Sequence, residues 1–231
     1  MTNSLDDTKR LFFDGDSFSM LLPDNQYITA GHIISERLGY NLDHYGFSGK
    51  TPSQIFRTSM RYAFEDNESF MCIGIGSIYR DDFHTEDVLD FNKYKYKFYQ
   101  EEHCSDSANF SNTDKGFILK FVHGEYIETN IFYRLIALHD FLMYNNVNFI
   151  IHNLGSNFYN NKQFLFASGI YEQIEKRPRI VNFYENSLHD LMLDNKIKGW
   201  DYDRYGNMAH PDEEGHAMYA DFLWDYVDEY R

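Results

Sequence analysis

The chain has 231 residues, 43% of them hydrophobic and 25% charged, enough for one domain with a sizeable buried core. Its formal net charge of −15 repels phosphate backbones and anionic bilayers, so neither nucleic acid nor a membrane is expected as a partner. No apolar run approaches ~18 residues, and the opening MTNSLDDTKR lacks the apolar segment of a secretory signal, so a cytoplasmic location is expected.

Leu11 to Asp14 reads as a short buried strand, and Gly15-Asp16-Ser17 as the turn leaving it. Tyr27 to Leu38 is the first expected helix, closed by Gly39, and Tyr40 to Tyr45 the second strand. Thr51-Pro52 has the form of an N-cap followed by proline in the first turn. Behind it, Ile55, Phe56, Met60, Ala63 and Phe64 mark one face of a helix.

Phe70 to Ile75 is the clearest buried strand, ending at Gly76-Ser77. Residues 81–124 alternate charged and aromatic types without a steady period and read as an irregular insertion or cap. Ile127 to Tyr144 carries a helical stripe of Ile127, Ile131, Leu135, Leu138 and Leu142. Strands are expected at Val147 to Ile151 and Arg179 to Phe183, a loop from Gly199 to Pro211, and a last helix from Glu213 to Tyr230. Its buried face is assigned to Ala217, Ala220, Leu223, Trp224 and Val227. Strands alternating with helices imply a single α/β domain, a three-layer α/β/α sandwich with a flavodoxin-like parallel sheet.

Cys72 falls in an expected buried strand and Cys104 in a polar loop, which is no disulfide framework. Aromatic residues reach 18%, with 21 Phe and 19 Tyr. Core filling accounts for them more simply than sugar or ring recognition.

The chemistry-bearing residues lie at the two ends of the chain. A parallel sheet brings the turn after its first strand and the loop before its last helix to the carboxyl edge, where ligands bind in open α/β folds. Ser17 and His210 would then meet, and a serine needs a base within hydrogen-bond reach to become a nucleophile. Asp14 and Asp16 read as turn residues bonding nearby backbone N–H groups. The spacing of His210, Glu213 and His216 matches no zinc motif, and no metal or organic cofactor is expected.

Four blocks stand in order: Gly15-Asp16-Ser17, Ser48-Gly49, Gly76-Ser77-Ile78 and Asn207-Met208-Ala209-His210-Pro211. In this the chain resembles the SGNH (GDSL-like) hydrolases along nearly its whole length. The resemblance implies a serine hydrolase with Ser17 as nucleophile and His210 as general base. The backbone N–H groups of Ser17 and Gly49 would form the oxyanion hole, with a third donor from the block at Ser77. Asp16 and Arg80 are the candidate substrate contacts.

Two positions depart from the pattern. Where the third block usually supplies an Asn side chain, this chain has Ile78, leaving Ser77 or Arg80 as substitute donors. Where an Asp three residues before the His usually orients the imidazole, it has Asn207. That orientation falls to the Asn207 amide, to Asp201 or Asp203 on the same loop, or to a backbone carbonyl. The expected activity is cleavage of an ester, a short acyl group on a carbohydrate in the specific form. The rival expectation is a weak or inactive module of the same fold that binds a glycan or a protein partner.

Overall fold

The computed structural model describes residues 9–16, 18–19, 28–47, 50–66, 68–76, 80–83, 97–100, 124–155, 169–181, 183, 187–199 and 210–231. Five strands form one parallel sheet: β1 (Arg10–Asp14), β2 (Asn41–His44), β3 (Phe70–Ile75), β6 (Asn148–Asn153) and β7 (Ile180–Val181), in the order β2-β1-β3-β6-β7. Two short strands, β4 (Arg80–Phe83) and β5 (Lys97–Gln100), pair antiparallel as a separate unit. The helices are α1 (Ala30–Leu38), α2 (Pro52–Glu65), α3 (Gly124–Tyr144), α4 (Ile170–Glu175), α5 (Leu188–Asp194) and α6 (Glu213–Tyr230).

A parallel sheet covered on both faces needs strands that are apolar on both sides, and β3 (FMCIGI) is buried at all six positions. Successive residues alternate between two cores. Phe12, Met71, Ile73, Phe149 and Ile151 face α2, α3 and α4, where Ile55, Leu135, Leu138 and Ile174 meet them. Leu11, Phe13, Phe70, Cys72 and Ile150 face α1, α5 and α6, against Ile34, Met192, Tyr219, Leu223 and Val227. The three layers follow from this alternation, and the strand order is the doubly wound 2-1-3-4-5 once the β4–β5 hairpin is set aside.

Some local signals are expressed in the fold as expected and others are not. Thr51 caps α2 as expected, its side chain accepting from the Gln54 N–H while Gln54 reaches back to the Thr51 N–H. Gly39 closes α1 in the left-handed region at φ 71°. But α1 starts at Ala30 rather than Tyr27, because His32 Nδ1 accepts the Thr29 backbone N–H at 3.2 Å and makes Thr29 the N-cap; Tyr27 itself lies outside the described residues.

The buried face of α2 runs through Ile55, Ser59, Tyr62 and Ala63. Met60 and Phe64, expected inside, are 37% and 73% exposed, and Phe64 instead packs on Phe141 of α3. On α6 the inward face is Gly215, His216, Tyr219, Ala220, Leu223 and Val227. Ala217 is exposed and Trp224 is only half-buried, with Arg37 over its ring. The strand expected at Arg179 to Phe183 is two residues long, and α4 and α5 were not anticipated. The segment read as irregular holds the β4–β5 pairing, with Cys104 and the rest of it outside the described residues.

Candidate active site

In this strand order the crevice lies outside the carboxyl ends of β1 and β3. The chain leaves β1 through Asp14, whose Oδ1 accepts the Gly15 N–H at 2.8 Å. Asp16 then organises the turn: its Oδ1 accepts the Phe18 N–H at 3.0 Å and its carbonyl accepts the Ser19 N–H at 3.0 Å. The backbone on both sides of Ser17 is therefore fixed by one aspartate. Its carboxylate packs on Gly76 at the end of β3, where a Cβ would stand 1.9 Å from Asp16 Oδ2. Only glycine permits this approach, and it locks the first and third blocks together. Asp16 is 1% exposed. Of the two roles read from the sequence, turn residue and substrate contact, its contacts describe the first.

Lys50, the residue after the second block, is held just as firmly. Lys50, 2% exposed, forms an ion pair with the fully buried Asp14 and donates to the Tyr45 carbonyl at 3.2 Å. The Lys50 N–H is accepted by the Phe47 carbonyl at 3.3 Å, and the Phe47 ring covers the ammonium with its centroid 5.2 Å away. Burial pushes the Asp14 carboxyl up to about 6 against the pull of Lys50, and it pushes the Lys50 ammonium down. Asp14 Oδ2 has no hydrogen-bond partner among the described residues. The turn role assigned to Asp14 holds, but the ion pair escaped the sequence reading. The available signal was a carboxylate closing an otherwise apolar strand.

The last block comes to the first through aromatic contact. The His210 ring lies against Phe18, centroids 5.1 Å apart, so the residue next to Ser17 touches the expected base. Just beyond His210, Asp212 caps α6 by accepting the Gly215 N–H at 3.0 Å, and Glu213 and Glu214 fill the first turn, where carboxylates suit the helix dipole.

Beneath this edge lies a set of buried imidazoles. Tyr219 of α6 donates its hydroxyl hydrogen to the Asn153 carbonyl at 2.8 Å, so His152 must donate Nδ1–H to the tyrosine oxygen, 2.7 Å away. That leaves a lone pair on His152 Nε2, buried and without a partner among the described residues. His44 Nε2 and His216 Nδ1 are likewise buried and have no partner among the described residues. Burial lowers His44 and His216 to about 4 and His152 to about 3, so all three are neutral at neutral pH. His216 is thus a packing residue. Among the described residues, no three His, Cys, Asp or Glu side chains are grouped so as to hold a metal ion, and no helix is long and apolar enough to cross a membrane.

Ser17, Gly49, Ser77, Ile78, Asn207, Asp201 and Asp203 lie outside the described residues. Arg80 is described only as the first residue of β4, opposite Gln100, and its side chain lies outside them too.

No family model and no curated protein matches the chain. Solved structures do match. The psychrotrophic esterase EstA from Pseudoalteromonas sp., inhibited by monoethylphosphonate, aligns over 96% of this chain and 98% of its own at 14% identity and a TM-score of 0.52. TesA aligns over 96% and 99% at 12% identity and a TM-score of 0.53. Axe2, an acetyl xylan esterase from Geobacillus stearothermophilus, aligns over 94% of both chains at 11% identity and a TM-score of 0.51. Two catalytic mutants of Axe2, one altered at a serine and one at a histidine, align equally well. The fold is that of the SGNH (GDSL-like) hydrolases, as the order of the four blocks implied.

Proposed function

We propose that the protein is an SGNH-type serine hydrolase that cleaves esters. The observation that carries this reading is the Phe18–His210 contact, which joins the turn of the first strand to the segment leading into the last helix. In the proposed reaction Ser17 Oγ attacks the ester carbonyl while His210 takes its proton. The oxyanion is held by the N–H groups of Ser17 and Gly49, with a third donor from the Ser77 block. Each such donor contributes about 3 kcal/mol where charge develops. His210 then returns the proton to the departing alcohol. Water, deprotonated by the same imidazole, releases the acid from the Ser17 acyl-enzyme. Every step moves a proton or an acyl group, and the scheme requires no cofactor.

A short acyl group on a carbohydrate is the proposed substrate class, supported by the acetyl xylan esterase among the structural neighbours. Asn207 holds the imidazole in this scheme without adding charge, so a slow enzyme is expected relative to one with a carboxylate there. The absence of side-chain donor chemistry at Ile78 favours a second reading, a non-catalytic module that binds a glycan or a protein partner.

A fluorophosphonate probe separates the two. Covalent labelling of the parent at Ser17, abolished in Ser17→Ala, is expected. A folded parent that takes no label would leave the binding module as the better account.

A further inference from the structure

The Asp14–Lys50 pair is difficult to explain as a source of stability. Removing two charges from water costs several kcal/mol per ion, and replacing a buried pair by apolar residues of similar volume is often neutral or stabilising. Here the balance is poorer still, because Asp14 Oδ2 is buried without a partner among the described residues. What the pair does is geometric. Asp14 ends β1 three residues before Ser17, and Lys50 directly follows Gly49 and precedes the cap of α2. Through one ammonium, Lys50 joins the end of β1 (Asp14 Oδ1) to the carbonyl of Tyr45, one residue past β2. The same Asp14 oxygen also holds the Gly15 N–H. Two backbone segments are thus clamped to a single buried point: Asp14 stands three residues before Ser17, and Tyr45 four before Gly49, with Lys50 itself next to Gly49.

Resting on the serine-hydrolase reading above, we infer that Asp14 and Lys50 are positioning residues that set the separation between the Ser17 and Gly49 backbone N–H groups. Neither side chain touches the substrate. A clamp of this kind acts on the transition state, because the donors must meet the oxygen where it becomes negative and not where it sits in the bound ester. A misplacement of ~1 Å is worth about 100-fold in rate. The clamp therefore governs kcat and the rate of phosphonylation, with little effect on KM.

The test is the double variant Asp14→Leu, Lys50→Met, compared with the parent and Ser17→Ala. Readouts are thermal melting, p-nitrophenyl acetate kinetics and the rate of fluorophosphonate labelling. The variant is expected to melt at or above the parent temperature, to keep its KM, and to lose roughly 100-fold in kcat and labelling rate. Parent-like kcat and labelling in the folded variant would overturn the inference while leaving the hydrolase reading intact. A parent that takes no label takes down that reading and this inference with it. If the double variant does not fold, Lys50→Met alone serves, since a buried carboxyl without its partner binds a proton and stays neutral. The same loss is expected there, and parent-like rates would count equally against the clamp.

Discussion

The two faces of the sheet are built from different materials. On the side of α2, α3 and α4 the strands meet Ile, Leu and Phe, and a buried histidine there, His139, is bonded at both nitrogens, to Asp140 and to the Pro178 carbonyl, each at 2.8 Å. On the side of α1, α5 and α6 lie His44, His152 and His216, each with a buried ring nitrogen that has no partner among the described residues. The apolar face resembles any well-packed core. The other face carries Tyr219 and the helix that follows His210, and there the His152–Tyr219–Asn153 bridge lies among imidazoles whose protonation would bury a charge at the cost of desolvation. The fold and the site are thus stabilised by separable means.

The sharpest way to break this distinction is a cavity in the apolar face. Phe149→Ala is expected to cost about 3–5 kcal/mol in urea unfolding at neutral pH, with unchanged fluorophosphonate labelling per folded molecule. Loss of labelling in the folded fraction would show that the two faces are not separable.

Acid probes the other face. The three histidines are depressed from 6.5 to about 4, 4 and 3, so the unfolded chain binds protons near pH 6.5 that the native state refuses. Their stabilising contribution is complete above that pH and is lost as pH falls toward 4. Asp14 runs the opposite way: raised from 3.8 to about 6, it is protonated first in the native state, and its contribution is present in acid and lost as pH rises through 6. Three protons against one leave a net loss on acidification, at about 1.4 kcal/mol per proton per pH unit. Urea midpoints measured at pH 7, 6 and 5 should fall steadily, and a flat or rising series would contradict neutral imidazoles.

Smaller again is Tyr219→Phe. Removing the hydroxyl strands the Asn153 carbonyl and the His152 Nδ1–H in a dry interior, at a cost of about 1–3 kcal/mol. A variant as stable as the parent would show that this bridge carries no weight.

What the residues disclosed, and what they hid, divides along the same physical lines. Strongly buried strands such as Phe70–Ile75 and the capped start of α2 at Thr51 were legible because apolar runs and cap chemistry are local signals. The inner faces of α2 and α6 were read partly wrongly because hydrophobicity alone cannot tell a core Tyr62 or His216 from an exposed Phe64 or Ala217. A tyrosine or histidine enters the core when a partner such as Asp43 or a neighbouring ring is in place, and the partner is remote in sequence. The short helices α4 and α5 lack the length for a periodic signal.

At the site, the order of four short blocks pointed to the fold, and the turn role of Asp16 was readable from its type. The Asp14–Lys50 pair spans 36 positions, and no local pattern announces such a contact.

The claim that everything else depends on is that His210 serves Ser17. It is tested most directly by the rate at which a fluorophosphonate modifies Ser17, followed by peptide mass, in folded His210→Ala and in the parent. A general base contributes about 10²–10⁴ in rate, so phosphonylation should slow by at least 100-fold in the variant. Equal rates in the two proteins would mean that the imidazole at the start of the last helix is not the base.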